Sequence, residues 1–278
     1  MLVYDAVVVG AGIFGSVLTR ALRKAGLSVL VLDAACANAG SAPAACLMRP
    51  SWFSSLGKDV YNPALKQLDD LIGIQEITFK VPAGRVNVHW CDPRKVLLPS
   101  EEITWGRVLG IFPEGPLWEV RLLSKDESKT QGVLAKRVIV AIGIWTETLV
   151  PEIKVAAQAG VAWLWSNASI SEPFIKAWAP YKQIVAFNRG DGLWVGDGTS
   201  IKNWSKKYEG ASLARCEHAL SGKPLSEPKK LFGYRPYVKE PGPCMFKQVR
   251  KNVWVATGGA KNGTLAAGWC ADQLLKAI

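Results

Sequence analysis

The first 33 residues leave little freedom in what this chain can fold into. Residues 5–10 are too apolar for a strand with one wet face, so they read as a buried parallel strand. Residues 14–25 carry helical spacing, with Val17, Leu18, Ala21 and Leu22 on one face, and Gly26 ends the helix. Residues 28–32 form the next strand and close on Asp33, which completes a right-handed βαβ unit. Gly10-Ala11-Gly12-Ile13-Phe14-Gly15 joins its first strand to its helix. In this position Gly10 permits a tight turn, Gly12 lets a pyrophosphate approach the backbone, and Gly15 packs helix on strand. The helix N-terminus offers unpaired N–H groups and a partial positive charge to phosphates. Asp33, eighteen residues past Gly15, can accept both ribose hydroxyls of an adenosine, which favours an unphosphorylated 2′-OH. Ile13, Phe14 and Ala34 join these residues as candidate cofactor contacts.

Composition narrows the chemistry. No apolar run reaches the roughly 18 residues that a membrane span needs, and the N-terminus enters the first strand without the layout of a signal peptide. Six cysteines (Cys36, Cys46, Cys91, Cys216, Cys244 and Cys270) show no C-x-x-C pair and no metal spacing, as expected of reduced thiols in a cytoplasmic protein. Only His89 and His218 supply imidazole, so a zinc site or a Ser-His-Asp triad is not expected, and no metal is assigned. The chemistry must come from something the protein binds. A net charge of +11 and twelve tryptophans allow two readings. One is a polyanion whose bases stack on aromatics; the other is a solvated basic surface over a Trp-rich core.

Further along, residues 34–50 read as a small-residue loop containing Gly40-Ser41-Ala42-Pro43-Ala44-Ala45. A helix is expected at 63–72, then strands at 85–90, 103–111, 118–123 and 133–142. In the second half, strands are expected at 184–187, 193–196 and 253–257, with helices at 210–220 and 264–277. Residues 125–132 and 222–230 are linker-like. Two further glycine turns stand out. Val138-Ile139-Val140-Ala141-Ile142-Gly143-Ile144-Trp145 reads as a returning strand and turn. Val255-Ala256-Thr257-Gly258-Gly259-Ala260-Lys261-Asn262-Gly263-Thr264 gives strand, turn and helix start. A helix N-terminus there would aim N–H donors at a bound group on which negative charge develops.

These three blocks together resemble the D-amino-acid oxidase and glycine oxidase family of FAD-dependent enzymes. The likeness covers residues 1–50, 133–160 and 184–278 and is thin between 51 and 130. It implies an α/β fold: a two-fingerprint Rossmann-like FAD-binding domain with a smaller, interleaved antiparallel β-rich substrate domain, shortened relative to glycine oxidase. It assigns residues 1–50, 85–160 and 232–278 to the FAD domain, and 51–84 and 161–231 to the substrate domain. Ser41, Ala42, Ala44 and Ala45 are similar to the family's loop beneath the flavin. Ala141, Gly143, Trp145, Gly259, Lys261, Asn262, Gly263 and Thr264 match further cofactor positions. Gln158-Ala159-Gly160 resembles a G-Q segment, and 191–196 the strand that walls the substrate pocket. Gly233-Tyr234-Arg235-Pro236 resembles the family's G-x-R-P, which implies that Gly233 and Arg235 touch the cofactor and that Arg235 clamps a substrate carboxylate. Lys261 falls at a second basic position and joins Arg235 as a candidate catalytic residue. Ile184 stands where the family places a pocket tyrosine. The chain is shortened mostly between Arg49 and Arg85, where others build a lid. Cys244 is too close in sequence to the Gly258 turn to tether flavin, so the FAD is expected to be non-covalent.

The resemblance implies hydride transfer from a glycine-type amine to FAD, with O2 or another acceptor taking the electrons on and no protein acid or base. Two related systems, a tRNA wobble-uridine carboxymethyl-removing oxidase domain and phage thymine-hypermodification flavoenzymes, set the leading expectation. It is an N-substituted glycine carried on a DNA or tRNA base, cleaved to an aminomethyl base and glyoxylate. The alternatives are an oxidase of free glycine, sarcosine or D-amino acids, and a non-catalytic flavin-binding interaction protein.

Overall fold

The computed structural model describes residues 2–41, 43–49, 58–179, 182–198, 201–202, 204–221, 226–238 and 244–278. The chain opens with β1 (Val3–Tyr4), β2 (Ala6–Val9), α1 (Ile13–Lys24), β3 (Val29–Asp33) and β4 (Leu47–Met48). It continues through α2 (Lys58–Ile72), β5 (Gln75–Val81), β6 (Gly84–Trp90), α3 (Pro93–Val96), β7 (Thr104–Glu114), β8 (Leu117–Ser124), β9 (Thr130–Ala135) and β10 (Val138–Val140). Then follow β11 (Ala156–Trp165), β12 (Phe174–Ala179), β13 (Lys182–Asn188), β14 (Leu193–Gly196) and α4 (Lys206–Ala219). The chain closes with β15 (Lys229–Tyr237), β16 (Cys244–Arg250), β17 (Val253–Gly258) and α5 (Gly263–Ala277).

Among the described residues these strands make two sheets. The first runs β1-β9-β8-β7-β3-β2-β10-β17-β16 and has a parallel centre, β7 to β17. Its order reverses beside β2, with β3 on one side and β10 on the other, which opens a crevice at their carboxyl ends. Period-two alternation feeds two cores. Val8, Ile139, Trp254 and Ala256 face α1, α2 and α5, while Val7, Val9, Val138, Val140, Val253 and Val255 pack with the meander residues Ile111, Val120 and Leu122. Each such fully buried aliphatic chain contributes roughly 1.5–3 kcal/mol.

The second sheet runs β15-β11-β14-β13-β12-β5-β6-β4 and is largely antiparallel. On β11, Val161, Trp163 and Trp165 face α4, while Ala162 and Leu164 join the core beneath α1 and α5. The architecture is the mixed α/β fold expected from the sequence, a Rossmann-like unit with a second, sheet-rich one. Strands β4, β6, β11 and β15 hydrogen-bond in this second sheet, although residues 47–48, 85–90, 156–160 and 232–237 are expected from the sequence with the first unit.

Four local differences have physical causes. The run 133–142 is two strands, because the chain leaves the meander at Lys136-Arg137 and enters the parallel centre as β10. Pro63 lies inside α2 and does not start it. Strands β5, β12 and β16 carry charges at outward positions that broke the apolar pattern. Pro236 obscured β15, yet a proline is tolerated there because β15 is an edge strand.

Candidate functional site

A cavity of about 890 Å3 opens along the carboxyl ends of β3, β2, β10 and β17. At a strand spacing of about 4.8 Å this front is roughly 14 Å wide. At the β3 end it is walled by Asp33, Ala34 and the stretch 106–109 of β7. The Asp33 carboxylate accepts from Ala11 N and Ala35 N, both at 2.6 Å, which fixes it against the glycine turn. Gly10 has φ +104°, and a Cβ there would strike the Ala141 carbonyl. Gly12 leaves room for Ser41, whose hydroxyl accepts from Ile13 N at 3.0 Å at the start of α1.

The middle of the cavity rests on the loop 43–46, and that loop hangs from donors of the second sheet. Trp194 Nε1 donates to Pro43 O at 3.3 Å, Arg189 Nη1 to Ala44 O at 3.4 Å, and Trp90 Nε1 to Ala45 O at 3.0 Å. Buried Arg189 is itself held by both oxygens of Asp191, at 2.8 and 2.6 Å. Opposite, Gly143 and Trp145 line the wall, and Thr146 Oγ1 and Thr257 Oγ1 both donate to the Gly143 carbonyl. α5 begins at Gly263 without a side-chain cap from Asn262, and its first turn contributes Gly263 and Thr264.

At the far end lie Arg235 and Lys261. Arg235 sits opposite Gln158 in the β11–β15 ladder, and its guanidinium extends over Gly160. Burial lowers the pKa of this guanidinium, and the nearby Asp197 carboxylate offsets part of the shift. Asp197 is fully buried and held by Arg215, with Nε at 3.1 Å and Nη2 at 2.5 Å. Lys261 Nζ donates to Gly198 O at 2.7 Å. Lost hydration, then the Arg235 charge, holds the Lys261 ammonium below its ordinary value.

Of the residues singled out from sequence, Gly10, Gly12, Ile13, Phe14, Asp33, Ala34, Ser41, Ala44, Ala45, Ala141, Gly143, Trp145, Arg235, Lys261, Asn262, Gly263 and Thr264 line this one cavity. Ala42 lies outside the described residues. Three glycines are not in the wall and act from behind it. A Cβ at Gly15 would run into the Gly10 carbonyl, one at Gly233 would crowd Ala39 O at 2.7 Å, and Gly259 takes φ +82° to turn the chain toward α5. Ile184 is a correction too: it is buried among Val161, Trp163 and Val195 and faces α4. Its neighbours Gln183 and Val185 face the cavity, as the period of two requires. Trp194, on the strand expected to wall the pocket, does line the cavity. The Arg189–Asp191 fork was not expected, although Arg-Gly-Asp-Gly in a tight turn carries that signal, and neither was Gly198 as lining. Neither His89 nor His218 lines the cavity, and Cys244, opposite Gly258 on β16, is buried away from it.

The sequence pattern of the NAD(P)-binding Rossmann-like domain family matches residues 8–45. No curated protein matches the chain. Solved structures do. The glycerol-3-phosphate dehydrogenase of Bacillus halodurans, complexed with FAD, superposes with a TM-score of 0.71 at 14% identity over 99% of this chain. This chain spans only 64% of that enzyme's length. Glycine oxidase from Bacillus cereus gives 0.65 at 15% identity, covering 99% of this chain and 97% of its own. Iminodiacetate oxidase from Chelativorans gives 0.64 at 13%, covering 98% and 94%. The chain therefore has the fold of the FAD-dependent oxidoreductases exemplified by glycine oxidase. At this level of identity the likeness is one of architecture.

Proposed function

We propose that this chain is an FAD-dependent oxidoreductase that oxidises the carbon–nitrogen bond of a glycine-type amine. One observation carries the reading: a single cavity joins the start of α1, the Asp33 carboxylate, the start of α5 and the Arg235 guanidinium. Its volume is within the usual range of small-molecule sites, about 300–1,000 Å3. Its glycine turns lack side chains where Cβ atoms would meet neighbouring groups, and its donors suit a pyrophosphate flanked by a ribose and a ring. In this reading Gly10, Gly12, Ile13 and Ser41 hold the phosphates, Asp33 the ribose, and Gly143, Trp145 and the first turn of α5 the isoalloxazine. When bound, the flavin supplies a two-electron acceptor beside the substrate.

The chain's own residues then bind and orient. Arg235 takes the substrate carboxylate as a bidentate fork, and Gly160 gives the guanidinium room to lie flat. Lys261 adds a second positive charge, suited to a substrate with a further anionic group. Gln183 adds a neutral amide to the same cavity, and Val185 and Trp194 keep water from its middle. With no imidazole in the wall, the amine arrives neutral, water hydrolyses the imine product, and O2 is the expected final acceptor. The neighbour named for iminodiacetate, an N-carboxymethyl glycine, supports this substrate class.

The net charge of +11 supports a finer reading, with the glycine unit on a nucleic-acid base. The tryptophans add nothing to it: of the eleven described, five are buried, six are partly buried and none is exposed. Free glycine-type amines are thus the first substrates to try. The test is an FAD-loaded protein mixed anaerobically with glycine, sarcosine, iminodiacetate and a glycine-bearing oligonucleotide, at low and high salt. Bleaching by a free amine with weak salt dependence supports the small-substrate reading. Bleaching by the oligonucleotide alone, suppressed by salt, supports the nucleic-acid reading. Bound FAD that no amine bleaches leaves only a non-catalytic flavoprotein.

A further inference from the structure

Two thiols meet behind the cavity wall. Cys46 precedes β4 and Cys91 follows β6, and the register Leu47↔Trp90, Met48↔His89 continues outward to set Cys46 opposite Cys91. Cys91 N donates to Cys46 O at 3.3 Å, and Cys91 Sγ lies 3.9 Å from the same oxygen. The two backbones are thus within one hydrogen bond of each other, close enough for a disulfide to bridge. Both residues are closed to bulk solvent, at 4% and 1% exposure, yet Cys46 lines the cavity. The Cys46 backbone is held at φ +54°, a left-handed conformation that is strained for any residue but glycine. Cys46 shares the cavity lining with Thr264 of the first turn of α5, so it sits near the positive end of a helix, where thiolates are stabilised. The hydrogen bond with Cys91, then that with Thr264, holds the Cys46 thiol below its ordinary range. The bond to Cys46 and burial push Cys91 above it.

We propose that Cys46 and Cys91 are a redox-active dithiol–disulfide pair that exchanges electrons with the flavin of this cavity, an inference that rests on the FAD reading above. In the oxidising direction both S–H bonds break and one Sγ–Sγ bond forms. Two electrons and one proton pass to oxidised flavin, and the second proton passes to solvent. The reverse step returns the thiols when substrate has reduced the cofactor. Cys46 is closed to bulk solvent among the described residues and lines the cavity, so a molecule held there is placed to take part in the exchange.

The test uses FAD-loaded, air-oxidised protein titrated anaerobically with dithionite, with the cysteines alkylated and mapped by mass spectrometry before and after. Each couple takes two electrons, so four equivalents per FAD are expected, with a linked Cys46–Cys91 peptide that disappears on reduction. The Cys91→Ala variant is expected to take two. Should that variant not fold, the wild-type peptide map decides alone. FAD-loaded wild type that takes two equivalents with Cys46 and Cys91 both alkylated overturns the pair and leaves the flavin reading intact, and four equivalents with a different linked pair does the same. Protein that takes up no FAD overturns both.

Discussion

The guanidinium of Arg235 reaches diagonally across the β11–β15 ladder and lies over Gly160, where a Cβ would collide with it. Gly160 thus shapes the Arg235 end of the cavity. The Gly160→Ala variant is expected to displace the guanidinium and raise KM for a carboxylated amine by roughly 10- to 100-fold, the size of one lost charged hydrogen bond. FAD content should stay unchanged. Steady-state kinetics beside an absorbance ratio checks both halves, and an unaltered KM would place the carboxylate elsewhere.

Gly15 acts at the opposite end. A Cβ there meets the Gly10 carbonyl, and neither backbone can yield without breaking the turn. The Gly15→Ala variant should lose FAD uptake and melt several degrees lower, consistent with a destabilisation of about 1–3 kcal/mol. Thermal unfolding with and without added FAD reads this directly: wild type should be raised by the ligand and the variant should not.

The end of the cavity at the first glycine turn was legible in the sequence because its geometry falls on the backbone. Gly10, Gly12, Gly15 and Asp33 are fixed by what a strand–turn–helix can do, and local spacing carries that information. The second sheet was far less legible. Its strands β5, β12 and β15 include charged residues or a proline at edge or outward positions, so neither alternation nor an apolar run stands out. Arg189, Gln183 and Gly198 reach the site only through contacts distant in sequence, such as Arg189 with Ala44 and Lys261 with Gly198. Ile184 shows the limit of reading by resemblance, since a one-residue offset in a strand turns a side chain to the other face.

The Arg189–Asp191 fork supports the loop that floors the cavity. The Arg189 hydrogen bonds hold the Asp191 carboxyl below its usual range. Stability from this pair is therefore complete above the unfolded carboxylate value of about 3.9 and is lost as pH falls through the lower folded value. The Asp191→Asn variant leaves Arg189 buried with a neutral partner and should lose roughly 3 kcal/mol at neutral pH. Urea titrations from neutral to acid pH should show the variant converging on wild type; a constant gap would contradict the linkage.

Lys261 predicts an alkaline limb. Its ammonium has a lowered pKa, and only the protonated form attracts an anion, so affinity for a doubly anionic amine should fall as pH rises toward the ordinary lysine value of about 10.4 and begin to fall below it. The Lys261→Met variant should bind that substrate more weakly at neutral pH and lose the limb. A limb unchanged in the variant would assign it to another group.

The central claim is that one cavity holds FAD and presents Arg235 to a carboxylated amine, and the anaerobic visible spectrum of the FAD-loaded protein tests it most directly. The account predicts that sarcosine or a related N-substituted glycine bleaches the flavin band, and that Arg235→Met keeps the band and loses the bleaching. Colourless protein that takes up no FAD, or bleaching of equal rate in Arg235→Met, would contradict it.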